Sequence, residues 1–321
     1  LPEALSNGLC SLRPDEDRAC VAADLWIGPD GNLRSFQFRR ALMRSAARLT
    51  YEEVQAARDA NQDPVAPGHL AHLYGAYKAL SEARRVRGAL DLELPERRIV
   101  LSDAGQVADI VPVIRLDSHR LIEEFMIAAN VAAARELGKR GQPVMYRVHD
   151  EPSLEKLEGL REALSGFEIN IARGGISRPG DFNGILYQVR GEAHERTVNE
   201  LILRAQMQAA YSPDNLGHFG LGLRDYAHFT SPIRRYADLL VHRALIRGLG
   251  LGDGGLEDEQ ASQFEELGSH ISNTERRAVV AERDANDRYT AAYLARHIGS
   301  NFTGTIRGVT RAGLFVAIDD K

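Results

Sequence analysis

DSHRLIEEFMIAANVAAARELG, residues 117–138, is apolar in almost every direction around a 3.6-residue helix. Leu121, Ile122, Phe125, Met126, Ala128, Ala129 and Val131 cover most of its circumference. A helix of that kind is buried on all sides. Asp117 or Ser118 supplies the N-cap, and Gly138 the stop. Glu123 and Asn130 lie seven residues apart, within about 20° on the helix, so they form one polar line on a buried rod. A buried carboxylate is costly unless it is paired or hydrogen-bonded. Two readings of Glu123 stay open: an acid that faces a ligand, or one bonded to a neighbouring arginine for structure alone.

The flanking sequence alternates strands and helices. Val21, Ala23, Leu25 and Ile27 alternate as a half-buried strand, and residues 33–42 return as a second strand after the turn at 28–32. Arg34, Phe36, Phe38 and Arg40 share one face of that return strand. Basic residues interleaved with aromatics can hold an RNA strand; a core face with arginine rims reads equally well. Helices are predicted near 50–58, 68–87, 153–165 and 194–211, with a hairpin over 98–102 and 106–114 and a strand over 144–149. The stretch 167–193 gives no clear period. Ser231-Pro232 is predicted to open a helix to about 248, followed by a glycine-rich loop to 255. Phe264, Leu267, Ile271, Thr274, Ala278, Ala281 and Ala285 alternate steps of three and four, the mark of a long helix. Residues 302–306 and 313–318 read as two more strands. The fold class is α+β, with a mixed β-sheet, built partly from 20–42 and 98–114, surrounded by helices.

A second costly place is Tyr226 through Tyr236, YAHFTSPIRRY. Ser231 as N-cap and Pro232 at the first helical position put Arg234 and Arg235 in the first turn. Cations there are disfavoured by about 0.3–1 kcal/mol each, because a helix N-terminus is the positive end of the dipole. An anion would reverse the sign, and backbone amides with two guanidinium forks make a phosphate site. The plainer alternative is an Arg234–Asp238 pair one turn on. Tyr51, at a helix start after a run over 31–50 that carries five arginines and no acid, is a weaker candidate for contact with a base.

Composition narrows the classes further. With 321 residues, 44% hydrophobic and 26% charged, the chain is long enough for one large domain plus a remnant and is not disordered. Its longest nearly apolar run, Phe125 to Ala134, is too short to span a membrane. A net charge of −5 gives no overall basic field, although only four of the 40 basic residues are lysine, and arginine suits bidentate phosphate contacts. Cys10 and Cys20 have neither metal-site spacing nor the number for a disulfide framework, so reduced thiols in a cytoplasmic protein are expected. Leu1 and Lys321 both lie in dense or alternating sequence, and the chain reads as an internal piece of a longer protein.

Five stretches together resemble the RNB family of 3′→5′ exoribonucleases, and within it the bacterial ribonuclease R branch: residues 1–14 (LPEALSNGLCSLRP), 47–51 (ARLTY), 122–130 (IEEFMIAAN), 228–243 and 281–284 (AERD). The resemblance implies an RNB catalytic domain over 1–298 and the first strands of an OB-type RNA-binding barrel over 299–321. It implies a single-stranded RNA partner, a monomer with no membrane association, and magnesium held by an aspartate cluster that activates water for attack on the last phosphodiester. Carried over, Arg234 would hold the scissile phosphate and Glu123 the hydroxyls of the 3′-terminal ribose, the two facing one cavity from different helices. Tyr51 would contact RNA near the channel end, and Asn130, His228, Ser231 and Arg235 would support that shell. Leu92 stands where many members carry an aromatic, so it would pack against a base without stacking. The family's aspartate cluster maps before Leu1, and Asp15, Glu16 and Asp17 match a different position. Magnesium ligands are therefore expected outside this chain, which alone would be inactive. A non-catalytic RNA-binding protein on the same fold is the alternative.

Overall fold

The structure is a computed structural model that describes residues 2–94, 96–172 and 174–318, with Arg307 described by its backbone alone. The all-round apolar run becomes α3 (Asp117–Lys139), which lies at the centre of the molecule. Ala132, Ala133 and Leu137 are fully buried against α7 (Tyr236–Leu249), whose Leu240, Val241, Ala244 and Leu245 are equally buried. Alanines on both helices let the two backbones approach, and each buried leucine contributes about 1.5–3 kcal/mol.

The strands differ from the expectation of one mixed sheet. Among the described residues they form four separate two-stranded antiparallel ladders. β1 (Asp17–Ile27) pairs with β2 (Leu33–Arg44), β3 (Glu96–Leu101) with β4 (Val107–Val113), β5 (Tyr146–Val148) with β6 (Ala210–Ser212), and β7 (Gly304–Thr310) with β8 (Gly313–Ile318). Three of the four are hairpins closed by short turns, so local pairing satisfies their backbone groups. The first hairpin's turn presses on α2 (His69–Arg87). Gly31 there has φ +71°, and a Cβ would sit 2.1 Å from the Ala79 carbonyl oxygen, so only glycine fits. The same hairpin buries Phe38, whose ring meets Phe229 edge-on at 5.3 Å. The face that carries Phe36 and Phe38 thus looks into the core, not toward a ligand. Arg34 pairs with Asp30 and Arg40 bonds the Asp253 carbonyl at its rims.

A second apolar cluster joins α4 (Leu154–Ser165), α5 (Pro179–Gln188) and α6 (Glu195–Ala205) around Leu164, Phe182 and Ile202. The stretch 167–193 therefore contains a helix that its sequence period does not announce. The helix expected over 194–211 stops at Ala205, because the Lys156 ammonium bonds the carbonyls of Arg204 and Gln206 and the chain turns into β6. α1 (Tyr51–Asp59) starts on a capping box in which Thr50 and Glu53 satisfy each other's backbone. After the short α8 (Asp258–Ser262), α9 (Phe264–Leu294) packs its first turns on β6 and sets Tyr293 beneath β3–β4. Its middle turns are exposed all round, so Ala278, Ala281 and Ala285 keep the helical period without a described partner.

Candidate nucleic-acid interface

Glu123 projects from α3 into a cleft of about 540 Å³ between α2, α3 and α5. Two arginines hold it there. Arg84, in the last turn of α2, places Nη1 3.5 Å from Glu123 Oε1, and Arg115 pairs with the other carboxylate oxygen. The acid buried on the rod is its neighbour Glu124, 6% exposed, which meets the same Arg84 Nη1 at 3.1 Å. Burial pushes the Glu124 carboxyl up, against the opposing pull of Arg84. This corrects the expected polar line. Glu124 stands three, four and seven residues before Ile127, Ala128 and Val131, all of them buried, so that stripe was the signal for it. The far wall of the cleft is fixed by Asn183, which accepts from the Asp91 amide at 3.0 Å and donates to the Ala89 carbonyl at 2.9 Å.

Asn130 is interior, 2% exposed. Its side-chain amide donates to the Tyr226 hydroxyl at 3.1 Å, and its carbonyl accepts from the Phe229 amide at 2.9 Å. Its polar groups are spent on seating the 226–229 segment on α3, so it is a positioning residue and not a contact surface. About 10 Å of helix axis separates it from Glu123.

The arginine pair differs from the expected helix start. α7 begins at Tyr236, with Arg235 at the N-cap, and residues 231–234 form a separate turn. The amides of Arg234 and Arg235 both bond the Ser231 carbonyl, so they are not free for an anion. Asp238, fully buried, is the reason. One of its oxygens accepts the Ser231 amide at 2.7 Å, and the two together accept a bidentate fork from Arg235 at 2.8 Å each. A carboxylate in the first turn of a helix suits the dipole and replaces the serine cap. Arg235, not Arg234, is thus the partner of Asp238. The exposed Arg234 side chain makes no ion pair or hydrogen bond among the described residues. Arg234 is not among the residues that line the cleft holding Glu123.

His228 sits beneath this turn, its Nδ1 2.8 Å from the Tyr211 hydroxyl. Burial, then the Arg235 and Arg147 guanidinia, push its imidazole down to about 2. Burial likewise pushes His218 down to about 3 and the Tyr211 phenol up to about 12. Arg147 stacks over Tyr211 at 4.6 Å and forks onto Glu275 of α9. The turn that carries Arg234 therefore rests on hydrogen-bonded aromatic rings flanked by the Arg147–Glu275 and Arg235–Asp238 pairs.

Tyr51 is 41% exposed at the first position of α1, where its ring stacks on His119 with centroids 4.0 Å apart. His119 is one turn before Glu123 on α3, so Tyr51 and Glu123 address the same side of that helix. Leu92 packs half-buried against the second apolar cluster. Of the expected residues, the structure gathers Tyr51 and Glu123 along α3, and Ser231, Arg234, Arg235 and His228 around one turn.

Comparison with known proteins adds to this geometry. The RNB domain family pattern matches residues 1–250. The chain belongs to the RNB-domain family. Ribonuclease R of Vibrio parahaemolyticus is 39% identical over 335 residues, covering 100% of this chain and 40% of that protein. Ribonuclease R of Aquifex aeolicus is 40% identical over 326 residues, covering 100% and 46%. The solved structure of Mycoplasma genitalium RNase R in complex with ribose-methylated single-stranded RNA superposes with a TM-score of 0.92 at 29% identity, covering 100% of this chain and 51% of that one. This RNB-domain chain thus spans between 40% and 51% of the length of these relatives.

Among the described residues of the RNB domain, no group of three or more His, Cys, Asp or Glu side chains is placed to hold a metal ion. Near the start of the chain, Glu16 pairs with Arg18 and Arg13, and Asp17 with Arg44. The described carboxylates do not fit a magnesium site, and no step through a metal follows from them. No helix among the described residues is long and apolar enough to cross a membrane.

Proposed function

We propose that this RNB-domain segment binds the 3′ end of single-stranded RNA for a 3′→5′ exoribonuclease that releases 5′-mononucleotides. The observation that carries the reading is the double use of α3. At one position it presents Glu123 in a cleft between arginines; two turns on, Asn130 seats the loop that offers an unpaired Arg234. Glu123 accepts hydrogen bonds from the 3′-terminal ribose hydroxyls, which favours RNA over DNA. Arg234 binds the adjacent phosphate with a guanidinium fork that no carboxylate among the described residues competes for. Tyr51 offers an exposed ring to the strand on the same side of α3 as Glu123, and Leu92 packs against a base nearby. The hairpin β7–β8 would begin a further RNA-binding domain from residue 299 onward, and the protein would act as a monomer.

Magnesium-assisted hydrolysis requires a carboxylate cluster beyond those described above, so the 321-residue chain is a binding unit without turnover of its own. Incubating the purified chain with a 5′-labelled RNA oligomer and magnesium tests this. Retention of the label on intact RNA, with a measurable complex, is expected. Stepwise shortening of the labelled strand from its 3′ end, abolished by a chelator and by Arg234→Ala, would show that a metal site has been misplaced. A non-catalytic RNA-binding parent would give the same result for the chain and would differ only in the full-length protein.

A further inference from the structure

Arg84 occupies an unusual position for a partly buried cation. Its side chain is only 20% exposed, and one nitrogen, Nη1, serves two acids: Glu124 Oε1 at 3.1 Å and Glu123 Oε1 at 3.5 Å. Nη2 reaches the Leu90 carbonyl at 3.5 Å, so one guanidinium ties the end of α2, the 88–94 segment and α3 together. The two acids it serves are unlike each other. Glu124 is buried and meets Arg84 at 3.1 Å, so it serves as an anchor. Glu123 is more open, 35% exposed at its side chain, and Arg115 draws its other oxygen from the opposite side. A carboxylate held between two guanidinia has few rotamers left, which is what an acceptor for two neighbouring hydroxyls requires.

We propose that Arg84 is a positioning residue: anchored by Glu124, it fixes the Glu123 carboxylate in the cleft and thereby sets the preference for a ribose over a deoxyribose at the 3′ end of the bound strand. This rests on the reading of Glu123 given above. Arg84 itself need not touch RNA. Removing Arg84 alone would leave Glu124 as an unpaired buried charge, which endangers the fold. The informative variant is therefore Arg84→Met combined with Glu124→Gln, which removes the cation and the buried charge together.

The test is fluorescence anisotropy of the 321-residue chain with two 5′-labelled RNA oligomers that differ only in a 3′-terminal ribose or 2′-deoxyribose. Hydrogen bonds to a charged group imply a preference of about tenfold for the ribose end. Glu123→Gln is expected to bring the ratio close to one. Arg84→Met/Glu124→Gln is expected to do the same while affinity for the deoxy-ended strand stays within about twofold of wild type, whereas a collapsed fold would weaken both strands alike. Glu124→Gln alone leaves a side-chain oxygen that still accepts from Arg84 and is expected to keep the preference, and Arg84→Lys to keep part of it, because a point charge reaches one acid but cannot bridge two. If Glu123→Gln abolishes the preference and Arg84→Met/Glu124→Gln does not, Arg84 has no positioning role and the ribose reading stands. If Glu123→Gln leaves the preference intact, or the wild-type chain shows none, the ribose reading falls and this inference with it. A proportional loss of both affinities in the double variant also overturns it.

Discussion

Arg234 and Arg235 are neighbours with opposite fates. Asp238 neutralises Arg235 at two contacts of 2.8 Å and leaves Arg234 unpaired among the described residues. If the full-length protein is the nuclease proposed above, Arg234→Ala is expected to lower turnover far more than RNA affinity, because many backbone contacts would carry binding while this one donor would face developing charge. Loss of such a donor costs about 2.7–4 kcal/mol in the transition state. Single-turnover rates and binding constants measured side by side check this, and equal loss of both would make Arg234 a strand anchor only. Arg234→Lys is expected to be impaired as well, since an ammonium does not reproduce the fork.

The histidines below the turn give a second residue-scale expectation. His228 at about 2 and His218 at about 3 are neutral in the folded chain, while in the unfolded chain both titrate near the ordinary value of 6.5. Between those values the unfolded state binds more protons, so stability rises with pH. Their contribution is complete above about 6.5 and is lost as pH falls below it. Urea midpoints are expected to drop steadily from pH 7 to pH 5, and less steeply in a His218→Gln/His228→Gln variant. Identical slopes for the two proteins would place the acid sensitivity elsewhere.

At the scale of elements, two contacts hold the site together. Asp238 joins the 231–234 turn to α7, and Asp238→Ala leaves the Arg235 fork and the Ser231 amide without their acceptor. A loss of about 3 kcal/mol in denaturant unfolding is expected, together with weakened RNA binding. Wild-type stability in that variant would mean that solvent replaces the carboxylate. Gly268 of α9 lies against β6, where a Cβ would come 2.7 Å from the Tyr211 carbonyl oxygen. Ser272 locks the same contact by accepting the Tyr211 amide at 2.9 Å. Gly268→Ala is expected to push α9 off the strand that carries Tyr211, destabilising the chain and loosening the bed under His228; a melting temperature unchanged from wild type would refute that.

These elements also show how far sequence reaches. α3 was legible because burial on all sides removes polar residues from every direction at once, and Glu123 stood out against that background. The 231–235 segment was misread as a helix start, since a serine–proline pair resembles a cap; the Asp238 carboxylate that takes the Ser231 amide instead comes seven residues later. Arg84, Arg115 and His119 were invisible for a different reason. Each is an ordinary polar residue in the sequence; the packing of α2 and α1 on α3 gives Arg84 and His119 their roles, and the bend of the chain before α3 gives Arg115 its own. The α+β class holds, but the pairing of the strands two by two was not legible, because alternation reports a strand and never its partner.

For the whole molecule, the central proposal is that the chain recognises the end of an RNA strand, not merely its charge. A net charge of −5 already argues against indiscriminate attraction to phosphate. The most direct measurement is an anisotropy titration of the 321-residue chain with one single-stranded RNA oligomer, bearing either a free 3′-hydroxyl or a 3′-phosphate. The phosphate places new negative charge beside Glu123 and removes a hydroxyl donor, so binding is expected to weaken by about tenfold. Equal affinity for the two oligomers would contradict the claim, and would reduce the cleft and the Arg234 turn to general features of the fold.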